Sequence, residues 1–425
     1  MTFQVVRILL LALLLGAPLA FGAVVPWARA GLVVSAFVLL FLWGLGCVRQ
    51  GFVRLIWSPL YLPAAAFLVL GLVQYVLHRT HDLIGTREVL LLLTTSLIFF
   101  FLAGQLMALS SRRTWRWFGW VVTVYGFALA LFSILQFFSS QGLIYWVVKS
   151  PGMAFGPYVN RNHYAGLIEM LIPLAAGYVL SRPPGYPWRF LLGFTVMVPI
   201  VSLLICGSRA GLITLLAELL ILSVLLQRWV AGSTRRSLAT AAILGVTLAA
   251  LLFFLVDPGR FSQRLVTIAN LTTSPEASLG ARRVVTLDSM RMVRDYPLLG
   301  IGLGSFRVVY PRYQSFADSS IWDHAHNDYM EALSETGLIG GLLMLAALLL
   351  FFRLAFSRVR ERMQTETGWI QLGAALGACG LLVHSLFDFN LHIHANAIWF
   401  VVCVALATSP VRVEQELAGK GRSSS

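Results

Sequence analysis

Residues 323–352 read DHAHNDYMEALSETGLIGGLLMLAALLLFF. The first half is rich in histidine, acid and hydroxyl groups. From Gly337 to Phe352 no charged residue occurs at all. A soluble amphipathic helix alternates polar and apolar faces instead of segregating them end to end. This stretch therefore reads as one membrane span, about 328–352, with a polar head at the membrane surface and a body in hydrocarbon.

Working outward, the rest of the chain agrees. Of 425 residues, 58% are hydrophobic and only 12% charged, with a mean hydropathy of +0.80. Soluble domains carry roughly a quarter charged residues. That excludes a disordered chain, a collagen-like chain and a disulfide scaffold. The cysteines Cys47, Cys206, Cys379 and Cys403 lie in apolar runs without CxxC spacing, so no disulfide framework or zinc ribbon is implied. Further apolar windows fall at about 5–25, 31–48, 59–77, 89–109, 117–138, 163–180, 190–206, 210–227, 238–256, 369–387 and 395–409. The expected fold is an all-α polytopic membrane protein of about twelve transmembrane helices.

The net charge of +14 would suggest nucleic acid in a soluble protein; here it is distributed as topogenic arginine. Only Lys149 and Lys420 are lysine. That bias fits forked phosphate-binding donors, and it equally fits genome composition. With the N-terminus placed inside, eighteen Lys and Arg fall on the cytoplasmic side and six in the short outer loops. Both termini are then cytoplasmic. The expected organisation is nine helices over 1–256, an outer loop over 257–327, three helices over 328–409 and a tail over 410–425. The loop has eight arginines, an amphipathic segment at 281–295 and the turn-rich stretch DYPLLGIGLGSF, 295–306. The apolar residues Val284, Val285, Leu287, Met290, Met292 and Val293 imply a folded cap.

Six of the eight histidines lie in three stretches: His163; His324 and His326; His384, His392 and His394. On this topology all three stretches sit at the outer face, which points to a site there. His324 and His326 precede a helix expected to start at Asp328 as the capping residue. The positive end of a helix dipole favours a neutral imidazole, as a general base requires. Helix capping alone accounts for the pair equally well, and HxH with Asp323 or Asp328 is a weaker zinc reading. Gly337 and Gly340 are expected to admit a neighbouring helix. Arg209, in CGSRAGL, has little bulk around it and suits phosphate binding, although a snorkelling arginine has the same sequence signature. Arg282, Arg283, Arg291 and Arg294 form a cluster in which 283, 287, 291 and 294 share a face. His384 and Asp388 are spaced to meet on one helix face. Asn160–His163, NRNH, opens a span with no assignable role.

The spacing His326-Asn327, nine residues, Gly337-Leu-Ile-Gly340 resembles the signature of bacterial lipopolysaccharide O-antigen ligases. GSRAGL at 207–212, Ser278-x3-Arg282 followed by PLLGIGLGSF, and HSLFDFNLHIHANAIWF at 384–400 are similar to other parts of that family. The chain departs from the family pattern at Ile393-His394-Ala395, where a proline-like small residue is expected. The resemblance implies a GT-C-like glycosyltransferase of the bacterial inner membrane, with its site facing the periplasm. It would transfer a glycan, with inversion, from undecaprenyl diphosphate to a hydroxyl of lipid A–core, without metal, cofactor or nucleic acid. His326 would be the base, and Arg209 and Arg282 would hold the diphosphate. Asn327, His324, Arg283, His163, His384 and Asp388 are secondary candidates. A polymerase with a lipid-linked acceptor shares the C-terminal module. A lipid or glycan transporter would instead place ionisable groups near span centres and show inverted repeats.

Overall fold

The computed structural model describes residues 2–150, 152–183, 185–229, 279–316, 322–363 and 365–411. The expected ninth span at 238–256, Ser278, the first part of the outer loop and the tail beyond 411 lie outside the described residues. Eight helices are long and apolar enough to cross a membrane. They are α1 (Thr2–Leu19), α2 (Pro26–Gln50), α4 (Leu83–Ala108), α5 (Arg112–Ser139), α6 (Arg161–Leu180), α8 (Arg209–Trp229), α11 (Asp328–Arg362) and α12 (Glu366–His384). Three shorter apolar helices accompany them: α3 (Tyr61–Val76), α7 (Arg189–Cys206) and α13 (His394–Thr408). Two more, α9 (Leu279–Asp295) and the single turn α10 (Phe306–Val309), precede α11. Among the described residues no strand occurs. The protein is an all-α polytopic membrane protein.

Local chemistry sets the helix starts. Asp82 caps α4 by accepting from the Ile84 and Gly85 N–H groups, Ser111 caps α5 through Thr114, and Thr365 caps α12 through Gly368. At α11 the cap is Asn327, which accepts from Tyr329 and Met330. The expectation that Asp328 caps this helix is corrected: it is the first helical residue, and its carboxylate reaches elsewhere.

Helix α6 is buried almost all round and runs antiparallel to α12. At Gly177 an added Cβ would lie 2.3 Å from the Trp369 carbonyl, and at Gly373 2.3 Å from that of Pro173. Only glycine permits this backbone approach, and dispersion along the contact is what holds helices together in lipid. Reversals at successive spans collect one set of ends on one face. There the His81 N–H reaches the Ile301 carbonyl and His394 Nδ1–H donates to Ala23 O at 3.0 Å. The opposite face holds the Arg116–Glu366 ion pair at 2.9 Å and the Arg362 to Val411 hydrogen bond.

Helix α11 is interrupted at Gly337 (φ +61°, ψ −164°). The groups freed by the break are taken by residues 297–302. Leu338 N–H donates to Pro297 O, Ile301 N–H to Ser334 O and Gly302 N–H to Glu335 O. Buried Gln74 of α3 donates to both Leu299 O and Glu335 O. The outer segment, rather than a neighbouring helix, thus packs at Gly337, which corrects the expected role of the glycine pair. Beyond it, Val285 and Met292 of α9 pack with Ile301, Phe306, Val309, Tyr310 and Ala325 into a small separate core. Leu287 and Met290, expected within such a cap, face outward.

Candidate active site

The loop after α12 brings Asp388 to the centre of the collected helix ends, fully buried. His326 Nδ1–H donates to its Oδ1 at 3.0 Å, and the Phe389 N–H to the same oxygen. Asn162 Nδ2 donates to Oδ2 at 2.6 Å, and the Arg282 guanidinium lies 3.5 Å from it. Arg282 also donates to Phe387 O. Burial works to raise the Asp388 pKa, but the hydrogen bond from His326 and the charge of Arg282 outweigh it. The carboxyl is held well below the usual carboxylate range. An ionised Asp388 fixes the imidazole with its proton on Nδ1, so that Nε2 carries the free lone pair. The His326 side chain keeps 21% exposure, between Trp322 and Phe389.

His326 sits at φ +50°, a conformation that side-chain-bearing residues adopt only under constraint. Its neighbours supply the constraint. Asn327 is locked as the α11 cap and donates to Leu386 O, and the Ala325 N–H donates to buried Glu331 at 2.7 Å. Asn327 therefore holds the backbone that carries His326.

His324 takes no part in the dyad. Its Nδ1 lies 2.7 Å from Glu331 Oε1, and its ring stacks on Phe389. His392 bridges two carboxylates, with Nδ1 to Asp328 at 2.9 Å and Nε2 to Glu331 at 3.2 Å. Burial would lower the His392 pKa, but those carboxylates dominate and raise it to about 10. His324, Glu331 and His392 have ligand atoms within 4.8 Å of one another, and these three residues could hold a cation. The HxH zinc set read from sequence does not assemble: His326 turns to Asp388, and Asp323 pairs with Arg307 at 3.0 Å.

The remaining candidates separate. The His384 side chain does not meet the Asp388 carboxylate; it is fully buried within the bundle with Nδ1 2.9 Å from Glu169 of α6. The i,i+4 spacing yields only a backbone contact, Asp388 N–H to His384 O, because α12 ends at His384 and the two side chains go to different partners. His163 is buried edge-on against Phe389, and its carbonyl accepts from Asn396. Arg283 faces outward with Leu287, Arg291 and Arg294. Arg209 opens α8, partly exposed, with no hydrogen-bond or ion-pair partner among the described residues. Asn162, Glu331 and Glu169 were not singled out from sequence. For Asn162 the NRNH stretch was the available signal, since an amide two residues past a cap points outward from the first turn.

A family model described as O-antigen ligase matches residues 194–345. The resemblance read from the sequence is borne out. The matched segment carries Arg209, Arg282 and His326, and stops short of Asp388, which the fold sets against Arg282 and His326. A comparison with curated proteins returned no match. The match supports ligase- or polymerase-type glycosyltransferase chemistry in a multi-pass bacterial membrane protein.

Proposed function

We infer that the chain is an O-antigen ligase: it moves a glycan from undecaprenyl diphosphate to a sugar hydroxyl of lipid A–core at the periplasmic face of the inner membrane. The observation that carries this reading is the His326–Asp388 pair beside Arg282 at the mouth of the helix bundle. His326 Nε2 takes the acceptor hydroxyl proton as the new anomeric C–O bond forms. The old bond to the phosphate oxygen breaks from the opposite side, so the configuration inverts. The electron pair leaves on the diphosphate, whose charge Arg209 and Arg282 neutralise. Asp388 stabilises the imidazolium formed in the step. Diphosphate is a competent leaving group, and no D-x-D pair is present in the chain, so the arginines stand where a divalent ion otherwise would.

The test is transfer by purified protein from undecaprenyl-diphosphate glycan to lipid A–core in the presence of EDTA. Product on lipid A–core is expected, together with its loss in a folded His326→Ala variant. Lengthened lipid-linked glycan without that product would make the protein a polymerase. Activity retained by the variant would remove His326 as the base.

A further inference from the structure

Two imidazole nitrogens converge on one carboxylate oxygen beside the His326–Asp388 pair. His324 Nδ1 lies 2.7 Å from Glu331 Oε1, and His392 Nε2 lies 3.2 Å from the same atom. The other Glu331 oxygen accepts from the Ala325 N–H, so Oε1 is the one left to face both rings. A single ion pair needs one of these nitrogens, not both. Two imidazoles and one carboxylate around a point are the donor set of a borderline cation such as Zn²⁺.

His392 is held in that pose from behind. Its Nδ1 lies 2.9 Å from Asp328 Oδ1, while Asp328 Oδ2 accepts from the Leu391 N–H at 3.1 Å. A carboxylate behind a histidine fixes which ring nitrogen keeps the proton, the outer contact that metal-binding imidazoles make. Asp328 is buried and lies three residues before Glu331 on α11, a spacing that puts both carboxylates on one helix face. The His324 ring is backed by Phe389, on which it stacks with centroids 4.3 Å apart. Both histidines keep 28% exposure, so an ion can reach them. The rings are also free to close on it, to bonds of about 2.0–2.1 Å.

We propose that His324, Glu331 and His392 bind one Zn²⁺ ion, which ties the segment bearing His326 to the segment after Asp388. The protons that the three groups now share leave to solvent when the ion enters. Nitrogen ligands favour zinc over magnesium or calcium, which take all-oxygen sets. The ion is a tie and not a reactant: His326 is turned to Asp388 and is not among its ligands. Binding is read without donor or acceptor, so the assignment stands or falls apart from the transfer reaction.

The experiment takes the tag-free full chain in detergent, stripped with EDTA and dialysed, and titrates it with zinc chloride by calorimetry. One equivalent is expected to bind saturably. X-ray absorption of the loaded protein should show imidazole nitrogen and carboxylate oxygen at about 2.0–2.2 Å. His324→Gln and His392→Gln should each abolish that equivalent, and Asp328→Asn should weaken it about 10- to 100-fold. His78→Gln, at an exposed histidine elsewhere, should leave it intact. Zinc should raise the melting temperature of the wild type but not of His324→Gln. If His392→Gln does not fold, His324→Gln carries the test, since there Glu331 keeps both Ala325 and His392. No saturable zinc, an equivalent unchanged in folded His324→Gln, or magnesium bound as tightly as zinc would each overturn the assignment.

Discussion

In the proposed reaction Asp388 acts through its hydrogen bond from His326, 62 residues away in the chain. Asp388→Asn keeps the volume but offers an amide, which releases the imidazole from its tautomer and removes the charge that stabilises the imidazolium. Transfer by this variant should fall about 10²- to 10⁴-fold with little change in KM for donor, as measured by initial rates. A variant within a factor of two of wild type would show that Nε2 does not act as the base. His392 gives a pH signature of a different kind. Its folded pKa of about 10 lies above the ordinary 6.5, so its contribution is fully present below pH 6.5. That contribution is lost as pH rises through about 10. Thermal unfolding followed between pH 6 and 10 should show this decline, and His392→Gln should flatten it. An identical decline in the variant would assign it to other groups. None of these pairings was legible in the sequence beyond the presence of the residues. His384 and Asp388 looked like partners at i,i+4, yet His384 goes to Glu169, 215 residues away, because the helix ends between them.

Elements were read more successfully than contacts, for a physical reason. A span is a local property: about twenty apolar residues must satisfy their own backbone groups in lipid, so windows of hydropathy mark the helices whatever packs around them. The eleven spans expected within the described residues each correspond to a helix, from 5–25 at Thr2–Leu19 to 395–409 at His394–Thr408. The break in α11 escaped this reading because it is created by a tertiary partner. Gly337 looked like a small residue for helix packing, whereas its φ of +61° and ψ of −164° open the helix to residues 297–302. An added Cβ there would lie 2.4 Å from Leu298 O, in a backbone region essentially reserved for glycine. Gly337→Ala should therefore destabilise the protein by about 1–3 kcal/mol. It should also loosen the segment that frames the His326 loop. A lower melting temperature in detergent together with reduced transfer is the expected pair of results. Unchanged melting would mean that the outer segment is not anchored at this break.

For the whole molecule, the distribution of charge and the placement of chemistry are the same fact seen twice. Eighteen basic residues were assigned to one set of helix ends and six to the other, while the His326–Asp388 pair occupies the poorer face. If positive residues hold their loops inside, the proposed transfer site faces the periplasm, as the ligase reading requires. Orientation is thus a premise of the chemistry, and it can be tested apart from activity. Gln141, after α5, and Arg113, at its start, are both exposed and lie at opposite ends of that helix. Background labelling should be low, since Cys47, Cys206 and Cys403 are buried and Cys379 is half-buried. A cysteine at 141 should react with a membrane-impermeant maleimide in spheroplasts, and one at 113 only after lysis. The reverse pattern would put His326 in the cytoplasm, out of reach of a periplasmic acceptor, and the proposed ligase reaction would fail with it.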